Sequence, residues 1–146
     1  MTNNTLSVAQ RIEAIREKVE TRNRLAREER EKFDQRRAKK RDLALALQSA
    51  LQGLGDTPLH VKGQARGRLD VAIVEPNDYV VSARLVVRGP TTYVLASYDV
   101  FWNDIEDVPF LVLANNTAFR LTLEAATHDA LGLVEKYLDL ETEPQR

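Results

Sequence analysis

The polar and apolar positions of the chain repeat with two different periods, one before and one after Gly53. From Ser7 to Gln52 there is no glycine and no proline, and apolar residues return at alternating spacings of four and three. That spacing is typical of a helix with one face packed against another helix. The first segment therefore predicts one continuous, coiled-coil-like helix.

Both ends of this helix are predicted from capping residues. Ser7 and Gln10 match a capping box, in which each side chain accepts a hydrogen bond from the backbone amide of the other. Gly53 is expected to end the helix in the left-handed conformation. A helix of roughly 45 residues would be close to 70 Å long. Since the domain after it has an expected radius of gyration of about 12 Å, we expect the helix to project or to pack against something else.

The apolar stripe of this helix is interrupted in the middle, where its positions are charged. Its distal part is the predicted helix interface, formed by Val8, Ile12, Ile15 and Val19. Three ways of burying these four side chains stay open: the helix pairs with a second copy of the chain, it binds a different protein, or it kinks and folds back on its own domain. An antiparallel homodimer that pairs residue i with residue 62 − i would set Ile15 opposite Leu47.

After a turn-forming cluster at 53–58, apolar and polar residues alternate with a period of two, which is typical of half-buried strands. Short turns between the successive runs predict an antiparallel meander of five or six strands. Asn115 and Asn116 suit a tight hairpin with left-handed residues. Thr127 and Asp129 are expected to open a C-terminal helix that packs on the sheet.

The fold class predicted from these patterns is α+β. Its expected parts are a helical oligomerisation arm over residues 1–52, a linker over 53–58, a sheet-plus-helix domain over 59–140 and a flexible tail over 141–146. The chain has 146 residues and no cysteine, which excludes disulfides, thiol nucleophiles and zinc–cysteine sites. We read no signal peptide and no membrane-spanning run, so a cytoplasmic protein is expected.

The formal net charge of −1 hides a basic helix and an acidic domain. Clustered cations suit an anionic partner, so binding to the phosphate backbone of nucleic acid is the alternative function. In the predicted loop over residues 62–68, glycines at 63 and 67 would let a ligand approach the backbone. The candidate phosphate contacts are Arg36, Arg37, Lys39, Lys40 and Arg41 of the helix, with Lys62, Arg66 and Arg68 of the following loop.

The remaining chemistry-bearing residues do not form a recognisable catalytic or metal-binding motif. His60 and His128 lie far apart, and the motifs of nucleotide, hydrolase and zinc sites are missing. An acidic stretch near residues 100–107 lacks the ligand order of a calcium loop, so we expect a solvated loop. Within it, Phe101 and Trp102 are a candidate partner patch, or they plug the open end of the sheet.

These observations predict a protein without catalytic residues, cofactor or metal. The preferred function is protein–protein interaction or assembly, in which the long helix joins copies of the chain or holds another protein. No membrane partner is expected. A fold class does not determine a function. The central question is therefore which molecule, or which part of this chain, packs over Val8, Ile12, Ile15 and Val19.

Overall fold

A computed structural model describes residues 7–142. Two compact units, Met1–Gln35 and Arg36–Arg146, divide the chain within its first helix. The helices are α1 (Val8–Ala50) and α2 (Leu123–Tyr137). The strands are β1 (Pro58–Val61), β2 (Ala65–Val74), β3 (Val81–Arg88), β4 (Thr92–Asn103), β5 (Val108–Leu113) and β6 (Asn116–Leu121).

The start of α1 confirms the predicted capping box. The backbone amide of Ser7 donates to Gln10 Oε1 at 2.9 Å, and the amide of Gln10 donates to Ser7 Oγ at 3.1 Å. Each bond satisfies an amide that has no partner inside the helix. The 43 residues of α1 run from Val8 to Ala50 without a break in the helix.

The end of α1 differs from the prediction for Gly53. A 3₁₀ turn over Gln52–Leu54 follows the helix, and the left-handed residue of this connection is Asp56, at φ 64°. The Thr57 hydroxyl donates to the Leu54 carbonyl oxygen at 2.6 Å. Because the 3₁₀ turn and Thr57 satisfy the carbonyls of this turn, a left-handed glycine is not needed.

The six strands form one sheet in chain order, and each strand pairs antiparallel with the next, which confirms the predicted meander. The hairpin at Asn115–Asn116 lacks the predicted left-handed residues. Its irregularity lies in the β5–β6 pairing instead, where the register shifts between Val112 and Leu113. Such a shift accommodates the extra residues of β6, so the turn does not need residues in the left-handed conformation.

The last helix begins earlier than predicted. Thr122 is its N-cap and accepts a hydrogen bond from the Ala125 amide at 3.0 Å, so Thr127 and Asp129 lie inside α2. Leu123 is the first residue of the helix. A threonine oxygen at an N-cap satisfies a free amide, and the sequence contains two threonines that fit this role.

Both helices pack on the same face of the sheet. Successive residues of a strand point to opposite faces, and one alternating set enters the main core. That core joins the following buried residues: Ala44 and Leu47 of α1; Leu51, directly after α1; Leu69, Val71, Ala83, Leu85, Tyr98, Val100 and Leu111 of the sheet; and Ala126, Ala130 and Val134 of α2. The predicted packing of the C-terminal helix on the sheet is thus confirmed.

The outer edge of β1 is partly covered by the chain that leaves α2. Leu138 forms an isolated antiparallel bridge with Leu59, and the Asp139 amide donates to the Pro58 carbonyl oxygen at 2.9 Å. The Asp139 side chain is buried and pairs with Arg66. The connection after α2 is thereby fixed to the first strand.

Tyr98 joins the core to α2 through a hydrogen bond. Its side chain is fully buried, and its hydroxyl donates to Asp129 Oδ2 at 2.6 Å. Burial, together with the bond to the Asp129 carboxylate, raises the pKa of the Tyr98 hydroxyl above its ordinary value. The folded protein therefore retains this proton at pH values where a solvated tyrosine loses it.

Replacing Tyr98 with phenylalanine is expected to reduce the free energy of unfolding by about 1–3 kcal/mol, because Asp129 loses a donor. Since the unfolded hydroxyl titrates near pH 10, stability should fall as the pH rises above that value. Urea titrations from pH 7 to pH 11 measure both effects, and the Tyr98→Phe protein should show a smaller alkaline decrease. Tyr93→Phe is the control; an equal loss in both variants would contradict the assignment to Tyr98.

Candidate protein-interaction surface

The basic segment of α1 predicted to bind phosphate pairs with acidic residues of its own domain. A guanidinium nitrogen of Arg37 lies 2.6 Å from Glu75 Oε2, and Arg41 Nε donates to Glu75 Oε1 at 2.7 Å. Arg37 also lies 3.3 Å from Asp78. The hydrogen bonds from Arg37 and Arg41 hold the pKa of the Glu75 carboxyl below its usual value. Two predicted phosphate contacts thus share one carboxylate.

Lys40 is the buried member of this segment. Its side chain is 5% exposed, and Nζ donates to the backbone carbonyl oxygen of Tyr79 at 2.6 Å. Burial lowers the pKa of Lys40, and the charge of Arg37 acts in the same direction. Tyr79 lies in the β2–β3 connection, before the start of β3 at Val81. Lys40 therefore holds the β2–β3 connection and does not face solvent.

Trp102 lies in β4 and not at the tip of a loop as predicted, because β4 continues to Asn103. Arg36 and Lys39 lie over its ring, 5.3 Å and 5.9 Å from the centroid, a distance at which a cation is attracted to the π-system. The indole nitrogen donates to Asp107 Oδ1 at 3.2 Å. Trp102 is thus half-buried beneath the basic segment.

Phe101 faces the opposite side of the sheet from Trp102, since neighbouring strand residues alternate. Its ring lies 6.1 Å from that of Phe110, and the Arg120 guanidinium lies 4.4 Å from the Phe110 centroid. The two aromatics predicted as one partner patch are therefore on different faces. Phe101, Phe110 and Arg120 form a separate cluster on the face away from α1 and α2.

The second predicted phosphate site is a β-hairpin. Arg66 lies in β2, where its Nε is 3.0 Å from Asp139 and a further guanidinium nitrogen is 3.1 Å from His60 Nδ1. Arg68 donates to the Asp56 carbonyl oxygen at 2.9 Å. Lys62 is exposed in the turn before β2. Arg66 and Arg68 are therefore turned toward their own chain, and phosphate binding stays a prediction.

Gly67 is close to a protein backbone and not open to a ligand. A methyl group added at Gly67 would overlap the backbone carbonyl of Arg88, at the end of the neighbouring strand β3. The small residue that suggested a phosphate approach instead allows two strands to come close together. Sequence alone does not distinguish these uses of glycine.

Arg84 is a polar residue on the helix-free face that the sequence patterns did not single out. Its Nε is buried and has no hydrogen-bond partner among the described residues. Next to it, Ser82 and Ser97 both donate to Asp99 Oδ1, at 2.7 Å and 3.0 Å. The alternation of β3 could have placed Arg84 on this face, but not shown that its Nε lacks a partner.

The distal stripe of α1 has the opposite character to the basic segment. Every residue from Ser7 to Gln35 is exposed. The four predicted interface residues follow the 4–3 spacing along one side of this helical segment, and their exposed fractions are 72% for Val8, 51% for Ile12, 61% for Ile15 and 37% for Val19. We refer to these four residues as the distal stripe. It is a regular apolar surface on a helix rich in charge.

The burial of Leu43 and Leu47 disagrees with the predicted antiparallel register, which pairs residue i with residue 62 − i of a second copy. That register needs Leu47 to face Ile15 of another copy, but Leu47 is fully buried in the domain core. Leu43, which would face Val19, packs against the same core. The 4–3 spacing of Leu43 and Leu47 therefore belongs to intramolecular packing.

Comparisons with protein-family models, with curated proteins and with solved structures found no match. Within residues 7–142, no group of three histidine, aspartate or glutamate side chains is placed to hold a metal ion. The described helices include none with enough length and apolar character to cross a membrane. Among the described residues, the distal stripe is an exposed row of four aliphatic side chains on one side of α1.

Proposed function

We propose that this chain is a non-enzymatic assembly protein that joins copies of itself, or holds another protein, through the distal stripe of α1. The observation that supports the proposal is an exposed row of β-branched aliphatic side chains at coiled-coil spacing. An amphipathic helix in a protein gains most of its stability when its apolar face is packed.

The alternative function, binding of nucleic acid through residues 36–41, has weaker support. Three of its guanidinium groups already pair with carboxylates: Arg36 with Asp104 and Asp107, and Arg37 and Arg41 with Glu75. A phosphate backbone would have to displace these carboxylates. Retention on heparin at low salt, lost when Arg36 and Lys39 are changed together to glutamine, would favour this alternative over the assembly function.

The assembly function is tested by placing charge in the distal stripe. In the full chain, Ile12→Asp combined with Ile15→Asp should lower self-association or partner binding at least about tenfold, because a carboxylate in a packed helical seam loses its solvation. Light scattering over a range of protein concentrations measures self-association. Binding of a stripe-complementary helical peptide, described below, measures capture of a partner.

The matched control carries the same charge on the opposite side of the helix. Ala14→Asp combined with Thr21→Asp adds two carboxylates at exposed positions outside the stripe. This control should leave both measurements unchanged, and circular dichroism should show the same helix content in both double variants. If the stripe variant matches the wild-type chain in molar mass and in peptide binding, the proposed function is wrong.

A further inference from the structure

Charged residues beside the distal stripe all have the same sign. In the heptad that places Ile12 and Val19 at a, and Val8 and Ile15 at d, the neighbouring e and g positions decide which helix can pair. Between Ser7 and Gln35 the charged residues at these positions are Arg11, Arg16, Lys18, Arg30 and Lys32. Every flanking charge along the exposed segment is therefore positive.

The acidic residues of the same segment lie away from the flanks. Six of them occupy the outer positions b, c and f, and Glu29 falls within the seam; the outer ones are Glu13, Glu17, Glu20, Glu28, Glu31 and Asp34. Their contacts with the cations are loose: Arg16 lies 3.6 Å from Glu13 and Arg24 lies 3.8 Å from Glu28, all with exposed side chains. Exposed pairs of this kind contribute little, so the flanking cations stay available.

A second copy of this segment is a poor match for these flanks. In a parallel pair, each g residue meets the e residue five positions later on the other helix, which sets Arg11 against Arg16. In an antiparallel pair, g meets g and e meets e, and no acidic residue occupies either set. Neither direction gives an attractive flanking pair. Like charges at these positions act against self-pairing.

We propose that the exposed segment of α1 pairs with an amphipathic helix of a different protein, in which acidic residues flank a row of aliphatic side chains. The inference rests on the proposed function and specifies its partner. Aliphatic residues of that helix would cover the distal stripe, and its carboxylates would meet Arg11, Arg16 and Lys18. Arg22, which lies at a seam position, selects a register in which a carboxylate or amide faces it.

The chemistry of the segment favours a protein helix over other anionic surfaces. Helices that lie on membranes carry cations across the polar face and tryptophan, phenylalanine or leucine on the apolar face. Here Glu13, Glu17 and Glu20 occupy the polar face, and the stripe consists of valine and isoleucine. β-branched side chains at seam positions suit the holes of a facing helix. A row of aliphatic groups between the cations also has no role in phosphate binding.

The test uses the full chain and two synthetic helical peptides of about four heptads. Both have the same aliphatic a and d residues; one has glutamate and the other lysine at every e and g position. The chain should bind the glutamate peptide at least about tenfold more tightly than the lysine peptide, and added salt should weaken the binding. Changing Arg11, Arg16 and Lys18 together to glutamate should reverse the preference. Ile12→Asp should abolish the binding of both peptides.

Several outcomes would overturn the inference, and they separate it from the proposed function. Equal affinity for the two peptides, or no binding of the glutamate peptide, overturns it. If the chain alone forms a dimer that Ile12→Asp dissociates, the assembly function stands and the acidic partner is wrong. A further measurement tests binding to vesicles of phosphatidylcholine and phosphatidylserine. If the chain binds these vesicles, loses that binding in Ile12→Asp and shows no preference between the two peptides, the segment binds a membrane surface and the inference is wrong.

Discussion

Replacing Gly67 with alanine is expected to destabilise the protein by about 3 kcal/mol, because the added methyl group has no space. It would overlap the backbone carbonyl of Arg88, and a backbone group cannot rotate away as a flexible side chain can. To accept the methyl group, β2 and β3 would have to separate where Arg68 pairs with Arg88. Urea unfolding, followed by the fluorescence of Trp102, measures the loss.

Gly132 is the matched control for this substitution. It lies in α2, and apart from its two chain neighbours and the adjacent backbone of its own helix, nothing lies within 4 Å of the position that its added methyl group would occupy. Alanine is a better helix former than glycine, so Gly132→Ala should raise the free energy of unfolding by about 0.5–1 kcal/mol. Opposite signs for the same chemical change would show that the packing at Gly67 decides the result. If Gly67→Ala were as stable as the wild-type chain, the close approach of β2 and β3 would be wrong.

Replacing Leu47 with alanine is expected to reduce the free energy of unfolding by about 2–5 kcal/mol, since the substitution leaves a cavity in a packed core. Leu47 is fully buried, between the sheet and the helix that carries it. Leu45, on the same helix, is 40% exposed and is the control. Leu45→Ala should change stability by less than about 1 kcal/mol.

The Leu47 experiment also separates core packing from helix pairing. A residue of an intramolecular core contributes the same stability at every protein concentration, whereas a residue at a subunit interface contributes more as the concentration rises. Unfolding of the wild-type and Leu47→Ala chains at two concentrations, about tenfold apart, makes the comparison. If the loss of unfolding free energy in Leu47→Ala grew with protein concentration, Leu47 would lie at an interface between copies and not in the core.

The order of elements could be predicted from sequence because it depends on short-range patterns. Strands half-buried on one face alternate with a period of two, and the turns between β1 and β6 are short enough to force antiparallel neighbours. The start of α1 was predictable for the same reason, since Ser7 and Gln10 are three positions apart. Local chemistry determines these features.

Whether an apolar residue lies in the core or at an interface, and whether a cation is paired, depends on contacts between residues that are distant in sequence. The 4–3 spacing is the same for Ile15, which is exposed, and for Leu47, which the sheet covers, so periodicity could not separate interface from core. Arg37 and Arg41 read as free cations because Glu75 is more than thirty positions away. Phe101 and Trp102 could share one surface in a loop, but β4 continues to Asn103 and places them on opposite faces of the sheet.

The bridge between Leu138 and Leu59 also affects how this chain can be joined to another protein. The residues after α2 occupy part of the free edge of β1, at Pro58 and Leu59, which hinders the addition of a foreign strand there. A linker attached directly at Tyr137 would uncover that edge and invite edge-to-edge aggregation. β6 is the other border of the described sheet, and its residues Asn116–Arg120 are exposed. Engineered fusions should therefore retain the chain through Asp139.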